Sequence, residues 1–335
     1  MRALGHLAMT LLLAASLVEG AGAEVTTIRI GRTPTLSQLP IYVLQGESLV
    51  EKHAKAAGLG DVAVQYHDVA GGAVLNDMLL SGTLEFATGG VPPFLILWAR
   101  ALGSPSEVRA IASVGGTPST LYTRNPKVRS IRDLSADDRI AVAGVKSSQV
   151  AILLQMAAAD AFGEQNYAKL DPLTVAVKDA DAVAQMTSGK GELTGHFTYD
   201  PYRARYAGDA AVRPILESRD VLGGVGTVTL AYTTVRFREQ NPKAVAAYYA
   251  ALVEADEIIK AEPARAARDF KRLASSGMSE QELERLIRDP AAQYSATPVA
   301  VYKFAAFMHR IGTLKQAPAS WRDLFFPEAQ RLPGS

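Results

Sequence analysis

One order of elements occurs twice in this chain, and it restricts the fold more than any composition figure. Val62–Tyr66 alternates as a strand and breaks at Val69-Ala70-Gly71-Gly72. Ala73–Leu80 then reads as a helix that stops at Ser81-Gly82, and a short strand, Leu84–Ala87, leads into Thr88-Gly89-Gly90 and Val91-Pro92-Pro93. Further along, Leu173–Val177 reads as a strand, Asp179-Ala180-Asp181 as a loop, Ala182–Thr187 as a helix and Ser188-Gly189 as its stop. Glu192–Phe197 follows, before Tyr199-Asp200-Pro201. Alternation of strand and helix argues for α/β layers. Two copies of one unit predict two similar lobes rather than a single large sheet.

The rest of the chain keeps the alternation for two thirds of its length. Thr27–Gly31 and Val108–Val114 are strand-like, as is the apolar run from Ile140 to Val145. A helix pattern starts at Ile41 after RTPTLSQLP, and another covers Val150–Ala161. The last third is helical. Asn241-Pro242 reads as an N-cap followed by proline at the first helical position. Ser279–Glu282 is a capping-box pattern, and Thr297-Pro298 opens a helix that stops at Gly312. Amphipathic spacing assigns these late helices to packing.

Composition closes off several classes of function. The 335 residues suggest about two domains. The net charge of +1 offers no basic field for nucleic acid or an anionic membrane. Arg2, the apolar stretch Leu7–Val18 and the small-residue site Ala21-Gly22-Ala23 read as a cleaved signal peptide over 1–23, with a buried N-terminal helix as the alternative. Its removal takes one base and one acid, so the net charge stays +1. Cysteine is absent, which excludes a thiol nucleophile, a Cys-based zinc site and lipidation at a cysteine. A freely soluble, exported protein is expected, best suited to a bacterial periplasm.

In open α/β sheets, ligands bind beyond the carboxyl ends of the strands. Four such turns are rich in glycine, hydroxyls or amides: Arg32–Pro40, Val69–Gly72, Thr88–Val91 and Lys146-Ser147-Ser148-Gln149. Glycine allows close approach to the backbone, and a helix start offers unpaired N–H groups to an anion. Ser147, Ser148 and Gln149 therefore suit a small oxyanion. The competing reading makes Ser148 a plain N-cap and Lys146 a solvated side chain. The spacing is not that of a P-loop. His196, Phe197, Thr198, Tyr199 and Tyr202 form a second cluster, in which aromatic walls and a polar contact suit an organic ligand. Against this, Phe197 is a candidate core residue and His196 a candidate for a satisfied buried histidine. No metal spacing links His53, His67, His196 and His309, and no nucleophile elbow stands in a suitable place.

The mature chain resembles the nitrate/sulfonate/taurine family of periplasmic substrate-binding proteins of ABC transporters. The features that carry the resemblance are Ile28-Arg29-Ile30-Gly31 with Pro34 and Pro40, Leu79-Leu80-Ser81-Gly82 before Glu85-Phe86, and Val128–Leu134. Ile140-Ala141-Val142 with Ser147-Ser148-Gln149, Met186–Gly189 and Asn241-Pro242 complete them. The resemblance implies a two-lobed α/β fold with two chain crossings as the hinge: lobe 1 over 24–121 and 225–335, lobe 2 over 122–224, closing on a ligand in the cleft. Carried over by position, the cleft loops supply Ser37, Gln38, Gly71, Gly72, Gly90, Thr117, Ser147, Ser148, Gln149, His196, Thr198 and Tyr199 as ligand-binding residues. Two departures concern the ligand. Tyr199-Asp200-Pro201 stands where many members have a Trp-Asp-Pro-like motif, and Gly46–Leu59 departs from the family's glycine-bounded segment.

The resemblance implies a monomeric, periplasmic, non-enzymatic binding protein without metal or cofactor. It would deliver a small organic anion to an ABC permease, with a sulfonate first and a carboxylate or nitrate next. The other readings are an exported enzyme on the same scaffold, a ligand-presenting partner of a membrane sensor, and a binder of pyrimidine precursors.

Overall fold

The computed structural model describes residues 24–69 and 71–335; the expected signal segment and Ala70 lie outside them. Strands β1 (Thr27–Arg32), β2 (Ala63–Asp68), β3 (Phe86–Gly90), β4 (Val108–Gly115), β5 (Ser119–Thr123), β6 (Ile140–Val142), β7 (Thr174–Ala176), β8 (Gly195–Tyr199), β9 (Arg213–Glu217) and β10 (Thr229–Thr234) form two five-stranded sheets. Their orders are β2-β1-β3-β10-β4 and β7-β6-β8-β5-β9. Each sheet has a parallel trio, β2-β1-β3 or β7-β6-β8, extended by an antiparallel strand, β10 or β5. The repeated unit of the sequence therefore occupies matching places: β2 and β7 are outer strands, β3 and β8 inner ones.

Helices α1 (Leu39–Gly46), α2 (Leu49–Ala56), α3 (Gly72–Leu80), α4 (Val91–Ala101), α5 (Gln149–Phe162) and α6 (Asp179–Ser188) follow the strands of the two sheets. Asp179 opens α6 rather than lying in a loop, because an acid in the first turn complements the helix dipole. After the sheets come α7 (Ser218–Leu222), α8 (Val235–Gln240), α9 (Pro242–Ala261), α10 (Pro263–Leu273), α11 (Glu280–Ile287), α12 (Val301–Arg310) and α13 (Pro327–Gln330). The capping box at Ser279 and Glu282 is formed. Asn241 flanks α9 without a side-chain cap bond; its Oδ1 instead accepts from Val25 N at 2.9 Å, which ties down the start of the chain.

The chain passes between the sheets twice, just after β4 and just before β10. Gly116 and Gly226 lie back to back there, and a Cβ on Gly116 would strike the Gly226 carbonyl. Strand β5 belongs to the second sheet, so Ser119, Thr120 and Leu121 fall in the second lobe, ahead of the boundary expected at Tyr122. The lobes also touch away from the crossings. Helix α5 packs on α4 and α12, and one apolar cluster contains Phe94, Trp98 and Phe304 of the first lobe together with Val150, Leu153 and Phe197 of the second. No helix among the described residues is long and apolar enough to cross a membrane.

Candidate functional site

A cavity of about 530 Å³ lies between the sheets, bounded by the loops beyond the carboxyl ends of β1, β2, β3, β6, β7 and β8. Its size falls within the usual range for small-molecule sites. Ser37, Gln38, Gly71, Gly72 and Gly90 line it from the first lobe, and Ser148, Gln149 and Tyr199 from the second. Eight of the twelve residues expected from the sequence thus meet at one place.

The start of α5 is partly engaged by its own lobe. Ser148 caps the helix, its Oγ accepting from Ala151 N at 3.4 Å. The Tyr199 hydroxyl faces the Val150 amide, and burial followed by the nearby Asp179 charge pushes this phenol up, so it stays protonated. The Gln149 N–H, at the first position of the helix, has no acceptor among the described residues. Gln149 Nε2 donates to Thr227 O at 3.0 Å, which ties the start of α5 to the second crossing.

On the facing wall Gln38 is fully occupied. Its Nε2 donates to Thr33 Oγ1 at 2.6 Å and Thr88 O at 3.1 Å. Its Oε1 accepts from Thr33 N at 3.1 Å and lies 2.8 Å from Thr88 Oγ1. Gln38 therefore shapes the β1 loop more than it offers groups to a ligand. Ser37 instead belongs to a hydroxyl chain, with Thr229 Oγ1 at 3.0 Å and Thr35 Oγ1 at 2.9 Å.

Four expected residues stand off the cavity. Thr117 is buried at the first crossing. Ser147 lines an adjoining recess of about 380 Å³ with Gly144 and Arg100. His196 and Thr198 sit within β8 rather than in a loop after it. Residues i and i+2 of a strand share a face, so both point to α6 while Phe197 and Tyr199 point to α5. Lys146 is exposed and adopts a left-handed turn conformation at φ 58°, outside the lining.

His196 and Thr198 nevertheless act on the cavity through Asp179, which the sequence reading left among ordinary turn residues. Thr198 Oγ1 donates to Asp179 Oδ1 at 2.5 Å, and His196 Nε2 lies 3.0 Å from the same oxygen. A carboxylate only accepts, so Nε2 carries a proton; Nδ1 lies 2.6 Å from the Tyr206 hydroxyl. Thr33, Thr35, Lys178, Tyr202 and Thr229 complete the polar lining. Asp179 and Lys178 are the charged residues among the described lining. No group of three or more His, Asp or Glu among the described residues is arranged to hold a metal ion.

The profile of the NMT1-like family matches residues 21–274. The chain belongs to this family. Its fold is similar to that of the alkanesulfonate-binding protein SsuA from Xanthomonas axonopodis pv. citri bound to MOPS, with TM-score 0.67, 20% identity, and coverage of 88% of this chain and 96% of that one. The periplasmic aliphatic sulphonate binding protein SsuA from Escherichia coli gives TM-score 0.67 at 16% identity, over 89% of this chain and 98% of its own. The periplasmic nitrate-binding protein NrtA from Synechocystis PCC 6803 gives TM-score 0.66 at 16% identity, over 89% and 84%. A comparison with curated protein sequences gives no match. This member of the NMT1-like family therefore has the two-lobed α/β fold of periplasmic binding proteins.

Proposed function

We propose that this chain is the periplasmic solute-binding component of an ABC importer. It captures a small organic anion between its lobes and hands it unchanged to a membrane permease. A sulfonate is the first candidate, a carboxylate or nitrate the next. The observation that carries the reading is a cavity lined from both sheets, which brings together Gln149 at the start of α5 and the Ser37 hydroxyl chain. Helix starts favour anions, and hydroxyls add neutral donors. The solved structures with the same fold support it through their names, which cite alkanesulfonate and nitrate.

A thermal-shift panel of sulfonates, carboxylates, nitrate and pyrimidines tests the reading. A ligand present at a hundred times its dissociation constant stabilises the native state by about 2.7 kcal/mol, which a melting curve resolves. A rise in melting temperature with neutral compounds alone rules out the anion.

A further inference from the structure

We infer that the first lobe carries a second ligand site, a recess behind the two crossings, and that it takes a small organic cation, an amine in its ammonium form, on the Asp256 carboxyl. The site is separate from the cleft and does not depend on what the cleft holds.

The recess measures about 840 Å³ and shares no lining residue with the cavity between the sheets. Gly116, Gly226 and Thr227 of the crossings form one side, Asp256 and Ile259 of α9 another, and Tyr294, beyond α11, a third. Asp256 is 8% exposed. Its neighbours on the same helix face, Leu252 and Ile259, are buried and apolar, so packing gives no reason for a carboxyl between them. Burying a carboxylate is costly unless it is paired and hydrogen-bonded. The Ala296 amide offsets part of that cost, and burial still pushes the carboxyl well above its usual range.

The other charges on the recess are engaged elsewhere. Lys260 pairs with Glu257 at 3.4 Å, Arg288 with Glu284 at 2.8 Å and Asp289 with Arg203 at 3.3 Å. Lys260 lies one turn from Asp256, but it is exposed, and its charge relieves the buried carboxyl only in part. Of these four side chains, Asp256 alone forms no ion pair among the described residues. An ammonium supplies the missing charge. Its N–H groups also suit the hydroxyls of Ser113, Ser295 and Thr297 on the lining, while Ile259 and Ile287 offer apolar surface to an organic body. The Tyr294 ring suits a cation as well. A bare metal ion is a poorer match. It needs several oxygen ligands, and no group of three or more His, Asp or Glu among the described residues is placed to give them.

Calorimetry on the mature protein near neutral pH tests the site with amines and their alcohols: 1-butylamine against 1-butanol, and 2-phenylethylamine against 2-phenylethanol. At least one amine is expected to bind about tenfold to a hundredfold tighter than its alcohol, the range for a hydrogen bond to a charged group. Asp256→Asn keeps the shape and removes the charge, and is expected to abolish that difference. Equal binding within both pairs means that Lys260 suffices for Asp256, and overturns the inference. A difference that survives in Asp256→Asn places the amine elsewhere and overturns it too. Wild-type crystals soaked with the tighter amine depend on no variant folding. The amine nitrogen within hydrogen-bond reach of Asp256 supports the site, whereas density in the cleft alone, beside Asp179, refutes it. Each of these outcomes leaves the response of the cleft to sulfonates, carboxylates and nitrate to be decided by its own panel.

Discussion

Gln38 separates what a cavity residue contributes to the fold from what it contributes to binding. Its amide is spent on Thr33 and Thr88, so its presence on the lining does not make it a ligand contact. Gln38→Met keeps the volume and orphans the Thr33 N–H and Thr88 carbonyl, each costing about 1–3 kcal/mol when buried. Urea denaturation should show a loss of about 2–6 kcal/mol, with a smaller proportional change in solute affinity measured under folding conditions. An intact urea midpoint with abolished binding would make Gln38 a direct contact instead. The same distinction explains what was legible at the site. Ser148, Gln149, Ser37 and Tyr199 stand out because hydroxyls, amides and a ring beside strand-to-helix turns are visible in one dimension. Asp179 was hidden because an acid at a helix start has an ordinary local reason to be there. Its support comes from β8, a separate strand in the sequence.

At the level of elements, the parallel trios were readable because their strands show apolar runs or alternation and are followed by turn-forming or polar loops. Strands β5, β9 and β10 were not. STLYT and TLAYTT are rich in hydroxyls, and RPILE carries proline, so none has the clean alternation that marks a strand. Their pairing is set by neighbours far along the chain. Helix α9 brings a further element-scale consequence. Asp256 is 8% exposed, and burial pushes its carboxyl well above the usual range, with only partial relief from the Ala296 amide and Lys260. A raised native value means the folded chain holds this proton longer than the unfolded chain. The contribution of Asp256 is therefore greatest below the unfolded value of about 3.9 and falls as pH rises through the raised native value. Asp256→Asn removes that fall. Urea midpoints measured from acid to neutral pH should show the variant gaining on wild type as pH rises, whereas parallel curves would contradict the assignment.

For the molecule as a whole, polar ties between the lobes flank the cavity. Gln149 reaches Thr227, Leu36 N donates to Asp200 O at 3.2 Å, and Arg203 lies 2.8 Å from Asp200 and 3.3 Å from Asp289. Asp289 is about a third exposed, so its ion pair is worth no more than about 1 kcal/mol. Asp289→Asn should release solute up to about fivefold faster in stopped-flow experiments, by that same energy, with little change in melting temperature. An unchanged release rate would show that this pair does not hold the lobes together.

The apolar seam along α4, α5 and α12 sets a different condition. The two halves are not free jaws on a pair of strands; they share part of their interior along one flank. Any parting of the mouth must pivot on that flank or else expose oily side chains to water. Residues such as Phe94 and Phe304, which lie off the cavity lining, would thereby limit how far the lobes of a solute-binding protein could part.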